Sequence, residues 1–371
     1  MTGLKTPVRV LIVDDSAVMR QLLTSLLEAD PEITVVGTAA DPYIARERIK
    51  ALNPDVVTLD VEMPHMDGLT FLRKIMALRP MPVVMISTLT QSGAETTLEA
   101  LEIGAVDFIA KPAHEQAERL ADLAAELQQK VKAAAQVRVG VRRAVPPPAP
   151  RRERLRRSTG KIVFVGASTG GVEALKTLLM GFPEDCPPTL VTQHMPPRFT
   201  TGFAGRLNRE CPMMVSEAVD GEAVEAGHVY IAPGSHHLEI VRAAKGHICR
   251  LSDAPPVSGH RPSVDVLFRS AARVCAKSAV AAILTGMGKD GAEGLLELRQ
   301  AGGSTLGQDE ESSLIYGMPR VAFERGAVMR QHALSQMADA ILDACERDPA
   351  PSLTQPRHDA RSKQREHRVP P

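Results

Sequence analysis

The 371-residue chain has no tryptophan, and aromatic residues make up only 3% of it. So few rings leave few platforms on which unpaired nucleic-acid bases can stack, and no nucleic-acid partner is expected. The five cysteines (Cys186, Cys211, Cys249, Cys275 and Cys345) are scattered, odd in number and never spaced as CxxC. Neither a disulfide framework nor a thiolate metal site is indicated, and they read as buried thiols in a reducing compartment. Long apolar runs are missing too: none approaches the ~18 residues of a membrane span, and Asp14 and Asp15 interrupt the first apolar stretch where a secretory signal would continue. A cytoplasmic protein, not embedded in a membrane, is the expectation. Net charge is absent only in total. Residues 1–124 hold 11 Lys and Arg against 18 Asp and Glu, whereas 125–161 hold 11 against 2. A basic block of this kind reads first as a solvated tether and second as a patch for an acidic partner.

What is present is α/β alternation, twice, in a chain long enough for two cores. The runs Val8–Val13, Ile33–Val36, Val56–Leu59, Val83–Ile86 and Val106–Ile109 predict five strands. Helical periods near 42–51, 68–78, 93–103 and 113–135 lie between and after them, and Met19, Leu22, Leu23, Leu26 and Leu27 stripe a further helix behind the first strand. Right-handed crossovers of this length imply a parallel, doubly wound sheet. Its chemistry gathers at strand ends. Asp14 and Asp15 follow the first strand and Asp60 the third, so three carboxylates converge on one sheet edge, where an all-oxygen donor set suits Mg²⁺. Ser87 follows the fourth strand and Lys111-Pro112 the fifth, placing a hydroxyl and an ammonium where phosphoryl oxygens on a carboxylate would lie.

Residues 7 to about 124 resemble response-regulator receiver domains. The resemblance rests on Asp14-Asp15, on Asp60 followed by Met63-Pro64 and Asp67-Gly68, on Ser87-Thr88 and on Lys111-Pro112, all in the family's order. It implies a flavodoxin-like (CheY-like) fold in which Asp60 accepts phosphate from a histidine kinase. It further implies that Asp14, Asp15, Asp60 and the Glu62 carbonyl hold Mg²⁺, and that Ser87 and Lys111 sense the phosphoryl group. Phe108 stands at the family's switch-aromatic position and has no hydroxyl.

Residues 125–158 form a basic connection in which, from 136, arginines surround Pro146-Pro147-Pro148-Ala149-Pro150. That composition favours extended polyproline backbone and supplies no core. A tail over 350–371, dominated by Pro, Arg, Ser, Gln and His, is expected to be disordered.

Between them, 159–347 restart the alternation. The strand Ile162–Val165 runs into Gly166-Ala167-Ser168-Thr169-Gly170-Gly171 and then a helical period. Such a loop either cradles a phosphate or carries a nucleophile on a tight turn. The next strand, Thr189–Gln193, ends in His194-Met195-Pro196-Pro197, and Val280–Leu284 ends in a glycine-rich loop that contains Asp290. A hydroxyl, an imidazole and a carboxylate, each just past a parallel strand, are what acyl transfer requires. His228, His236, His237 and His260 are competing histidines; Asp265 is a rival acid that reads better at a helix N-terminus. Lys289 and Arg206 read as solvated charges or a basic edge for an anionic substrate. The chain order Ser, His, Asp differs from that of α/β-hydrolases.

This half resembles the chemotaxis protein-glutamate methylesterase and glutaminase family. The matching segments are Gly166–Gly171, Gln193-His194-Met195-Pro196, Ile231-Ala232-Pro233-Gly234, Leu284–Gly291 and Tyr316-Gly317-Met318-Pro319. The resemblance implies a Rossmann-like, mostly parallel-sheet catalytic domain without a cofactor. Ser168 would be its nucleophile, His194 its general base, Asp290 the orienter of that base, and the Met287 N–H an oxyanion donor. Its substrates would be glutamate methyl esters and certain glutamines on the cytoplasmic helices of chemoreceptors. The alternative is a receiver-controlled module that binds a nucleotide or nucleic acid through the glycine loop. No acidic ribose partner stands near residue 190 to support it.

Overall fold

The computed structural model describes residues 6–64, 66–88, 90–111, 120–137 and 160–347. The predicted Pro/Arg-rich connection from 138 onward and the predicted tail lie outside the described residues, as do Pro112 and the start of the helix predicted from 113.

Five strands, β1 (Val8–Val13), β2 (Ile33–Ala39), β3 (Val56–Asp60), β4 (Val83–Ser87) and β5 (Asp107–Ala110), form the first sheet in the order β2-β1-β3-β4-β5. Every pairing is parallel. This is the flavodoxin-like order, with its switch point beside β1 and β3. The helices are α1 (Ala17–Glu28), α2 (Pro42–Leu52), α3 (Gly68–Leu78), α4 (Gln91–Ile103) and α5 (Leu120–Ala134). Polar residues just past the strand ends start several of them. Asp41 caps α2 by accepting from the Tyr43 and Ile44 N–H groups, and Asp67 caps α3 by accepting from the Thr70 N–H. Gly68 is required for a different reason: a Cβ there would stand 2.0 Å from the Asp60 carbonyl oxygen. The predicted second strand stops at Val36, but β2 continues through Gly37 to Ala39, because pairing with β1 outlasts the apolar run.

The second unit contains β6 (Ile162–Ala167), α6 (Gly171–Met180), β7 (Thr189–Gln193), α7 (Phe199–Glu210), β8 (Met214–Glu217) and β9 (His228–Ile231). The hairpin β10 (His237–Arg242) and β11 (His247–Ser252) comes next, then α8 (Val264–Cys275), β12 (Ala279–Ile283), α9 (Ala292–Gln300), β13 (Ser304–Gln308), α10 (Met318–Glu324), β14 (Arg330–His332) and α11 (Leu334–Glu346). Its seven-stranded sheet, β14-β13-β12-β6-β7-β9-β8, is parallel throughout. The central strands are fully buried, so β6 and β12 read as continuous apolar runs and not as alternating ones, while β7 also buries Thr189, Thr192 and Gln193. β6 lies between β7 and β12, so the chain winds away from it in both directions. The crevice beyond its carboxyl end is a switch point, where open α/β sheets bind ligands.

The two units pack directly on each other. Phe108 of β5 stacks on Phe199 of α7 with ring centroids 4.6 Å apart. Lys176 on α6 bridges Glu102 of α4 (2.8 Å) and Glu210 of α7 (2.6 Å). Arg206, read from sequence as a solvated charge or substrate-facing edge, instead pairs with the same Glu102 and with Glu210, because α7 lies against α4. Four cysteines are buried and Cys275 is half-buried, and all five are free. Burial pushes the Cys186, Cys249 and Cys345 thiols up to about 12, which leaves them unreactive. Among the described residues no helix is long and apolar enough to cross a membrane.

Candidate active site

The loops after β6, β7 and β12 meet over the switch-point crevice. Ser168 Oγ lies 3.1 Å from His194 Nδ1, and His194 Nε2 lies 2.8 Å from Asp290 Oδ2. In the tautomer that satisfies both contacts, the imidazole donates its Nε2–H to the carboxylate and accepts the serine proton at Nδ1. Asp290 is 1% exposed yet well supplied with donors. Its Oδ2 also accepts from the Val264 N–H (2.7 Å), and its Oδ1 accepts from Ser263 Oγ (2.8 Å) and the Asp265 N–H (3.1 Å). Burial alone would raise this carboxyl. The His194 contact, Ser263 and the Val264 N–H outweigh it and hold Asp290 down at about 2, so the group stays ionised.

Backbone positions Ser168. The Ser168 N–H donates to the Thr285 carbonyl (3.0 Å) and the Gly171 N–H to the Ser168 carbonyl (2.7 Å), which tightens the turn into α6. Gln193 Nε2 donates to the same Ser168 carbonyl from below (2.9 Å). The loop after β12 runs beside the serine so closely that a Cβ on Gly286 would lie 2.7 Å from Ser168 Cβ. The Met318 N–H (2.7 Å) and the Gly317 N–H (3.1 Å) hold the Gly286 carbonyl, which fixes the peptide that leads to Met287. The phosphate-cradle alternative finds no support: the Ser168 and Gly171 N–H groups are engaged within the protein, and Leu314 lies against Gly170.

None of the competing side chains takes the place of His194 or Asp290 in the relay. His237 is buried, and its Nδ1 accepts from the Ser263 N–H (3.1 Å). His236 pairs with Ser235, and His228 with Ser216 on the far strands of the sheet. Asp265 sits in the first turn of α8 and accepts from the Gly294 N–H (2.7 Å), a bond that joins α8 to α9. Sequence reasoning places Ser263 only at the start of a helix and counts His260 only as a competitor, yet the Ser263 hydroxyl bonds Asp290 and the His260 ring stacks on His194.

At the other sheet edge, carboxylate oxygens of Asp14, Asp15 and Asp60 all lie within 4.8 Å of one another. Lys111 Nζ stands 2.7 Å from Asp60 Oδ2 and 3.1 Å from Asp14 Oδ2. Burial pushes the Asp60 carboxyl up to about 6; Lys111 opposes the shift and Asp14 adds to it. Asp14 Oδ2 is buried and faces only the Lys111 ammonium. Three carboxylates offering only oxygen ligands within this distance fit a hard divalent cation. Ser87 is fully buried, and its hydroxyl donates to the Gly93 carbonyl (3.2 Å) on α4; no hydrogen bond joins it to Asp60.

The amino end of β5, opposite the Asp60 edge, reaches the loop that carries Ser168. Asp107, which opens β5, accepts a hydrogen bond from Thr169, the residue after Ser168. The other Asp107 oxygen pairs with Lys130 of α5 (3.3 Å), which also pairs with Glu126 (2.8 Å) and donates to the Phe108 carbonyl (2.7 Å).

A receiver fold joined to an open parallel sheet that carries a serine–imidazole–carboxylate relay at its switch point defines a class: a response regulator with a serine-hydrolase-like output unit. The response regulator receiver domain family matches residues 10–123, and the CheB methylesterase family matches residues 163–341. A protein-glutamate methylesterase/protein-glutamine glutaminase of Caulobacter vibrioides is 59% identical over 339 residues, covering 91% of this chain and 97% of its own. One from Rhizobium johnstonii is 54% identical with the same coverage. The crystal structure of the Thermotoga maritima CheB methylesterase catalytic domain, 36% identical, spans 50% of this chain and 98% of its own, with a TM-score of 0.49. The chain belongs to the protein-glutamate methylesterase/protein-glutamine glutaminase family, receiver domain included.

Proposed function

We propose that this chain is a phosphorylation-controlled hydrolase that removes methyl esters from glutamate side chains of chemoreceptors, releasing methanol, and deamidates receptor glutamines. The observation that carries the reading is the continuous relay Ser168–His194–Asp290. His194 Nδ1 takes the Ser168 hydroxyl proton as Oγ bonds to the γ-carbonyl carbon. The carbonyl oxygen becomes an oxyanion beside the Met287 N–H, which has no partner among the described residues. The imidazolium, stabilised by ionised Asp290, then gives its proton to the departing methoxide or amide nitrogen. Methanol or ammonia leaves, and an acyl-serine remains. Water repeats the sequence: His194 removes its proton, its oxygen attacks the acyl carbon, and Ser168 Oγ departs with the proton from His194. One relay thus serves ester and amide, because both reactions pass through the same acyl-enzyme.

In the receiver, Asp60 takes the phosphoryl group from a chemotaxis histidine kinase, and Lys111 and Ser87 meet its oxygens. Asp14, Asp15, Asp60 and the Glu62 carbonyl would hold Mg²⁺. When bound, the cation offsets negative charge at the acceptor carboxylate. The route from Asp60 to Ser168 runs along β5. Lys111 lies one residue beyond β5, while Asp107 and Phe108 of that strand hold Thr169 and Phe199. Drawing Lys111 onto a phosphoryl group would loosen that edge and open the crevice, a shift between closed and open populations. The enzyme would work in the cytoplasm on the receptor's cytoplasmic helices.

Labelling with a fluorophosphonate tests nucleophile and gate together. Mass spectrometry of the digested full chain should place the adduct on Ser168, with labelling about tenfold faster after treatment with acetyl phosphate and Mg²⁺. An adduct on another residue would refute the assigned nucleophile.

A further inference from the structure

The segment 257–265 belongs to no strand or catalytic loop, yet it touches the relay twice. Its C-terminal end supplies Ser263 Oγ and the Val264 and Asp265 N–H groups to Asp290. Its N-terminal end is a two-residue turn closed by reciprocal backbone bonds between Val257 and His260 (3.0 and 2.9 Å). Both central residues, Ser258 (φ 54°) and Gly259 (φ 81°), are left-handed. That geometry marks a primed turn, and a serine in this region carries a conformational cost that the surroundings must offset. The turn delivers the His260 ring onto His194, with centroids 3.8 Å apart and planes within 12°.

We propose that His260 is a positioning residue for the base: its ring face holds the His194 imidazole in the one plane that reaches both Ser168 and Asp290. This inference rests on the relay assigned above. Three observations support it. First, the His194 side chain is bonded only through its two edge nitrogens, one to a rotatable serine hydroxyl, and neither bond prevents the ring from tilting about the line between them; a parallel ring does. Second, no hydrogen bond is formed by the His260 ring nitrogens among the described residues, so the face and not the edge is in use. Third, the surroundings favour the uncharged form of the His260 ring. Burial and the adjacent His194 hold His260 down at about 4, Asp290 opposes this, and the Lys130 and Glu126 charges of α5 act in opposite directions. A neutral ring also tolerates the imidazolium that forms beneath it, and an electron-rich face favours a cation.

The test compares full-length wild type with His260→Ala, His260→Phe and His260→Gln after treatment with acetyl phosphate and Mg²⁺. It measures kcat and KM for methanol release from methylated receptor membranes and the rate of fluorophosphonate labelling, which needs no receptor docking. His260→Ala should lower kcat and the labelling rate by about five- to tenfold, the fold equivalent of one stacked pair, with KM within twofold. Phe should restore both to within twofold of wild type, and Gln should behave as Ala. The proposal is overturned if Ala retains wild-type kcat, if the loss lies in KM alone, or if Gln restores what Phe does not. Should the Ala variant fail to fold, the Phe and Gln pair makes the same comparison. Retained turnover in Ser168→Ala would instead overturn the parent reading, whatever the His260 variants do.

Discussion

Ser168→Ala should lower methanol release by roughly 10⁴-fold or more while leaving the fold and receptor binding intact. The size follows from the role: without Oγ no acyl-enzyme forms, and only oxyanion stabilisation and substrate binding remain. The intact fold follows from the bonding. The serine side chain makes one contact, to His194, while the backbone N–H and carbonyl that shape the turn belong to any residue. Thermal stability should therefore move little, within the range of substitutions that break no buried network. Turnover near wild type with Ser168 absent would remove the nucleophile from the account.

Asp290→Asn should cost on the order of 10³- to 10⁴-fold in turnover and some stability as well. The carboxylate accepts four donors, two on each oxygen, which fills its acceptor capacity. An amide nitrogen placed at the Oδ2 position would face the Val264 N–H and force His194 into the tautomer that cannot accept the serine proton. Placed at Oδ1 it would face the Asp265 N–H, and the imidazolium would still lose its counter-charge. Either placement leaves a buried N–H group unpaired, worth about 1–3 kcal/mol, and either removes the charge that a triad uses to favour the imidazolium. Kinetics alone would not separate these effects from unfolding, so thermal melts accompany the measurement. A stable variant with less than tenfold loss would show that Asp290 is structural.

Much of this was legible in the sequence because doubly wound sheets place chemistry at strand ends, and the strands themselves are apolar runs. Asp14, Asp60 and Lys111 could be located on one edge by that rule alone, and Ser168, His194 and Asp290 on another. What escaped were contacts made by segments that carry no pattern. Nothing in the residues around His260 signals a ring laid on another ring, because the turn that delivers it uses a serine where glycine or asparagine would have announced a left-handed residue. Ser263 reads as the start of a helix; only the packing of α8 behind the relay makes its hydroxyl a support for Asp290. The short strands β8, β9 and β14 lack runs long enough to stand out, and they join the sheet because neighbours already present pair with them. Arg206 was misjudged for a related reason. A charge looks solvated until the partner helix is in place, and that helix lies a hundred residues earlier in the chain.

The contact between Asp107 and Thr169 gives the regulatory proposal its physical content. The receiver's last strand holds the residue beside the nucleophile, and Lys111 just beyond that strand is drawn toward Asp60 in the unphosphorylated state. In that proposal a phosphoryl group on Asp60 changes what Lys111 pairs with, and β5 carries the change to Thr169.

The most direct test of phosphorylation-gated ester hydrolysis is methanol release from methylated receptor membranes by the full chain, with and without acetyl phosphate and Mg²⁺, for wild type and Asp60→Asn. Wild type should be accelerated at least tenfold by the phosphodonor, and Asp60→Asn should stay at the unstimulated rate under both conditions. Equal rates for the two proteins in the presence of phosphodonor would contradict the account.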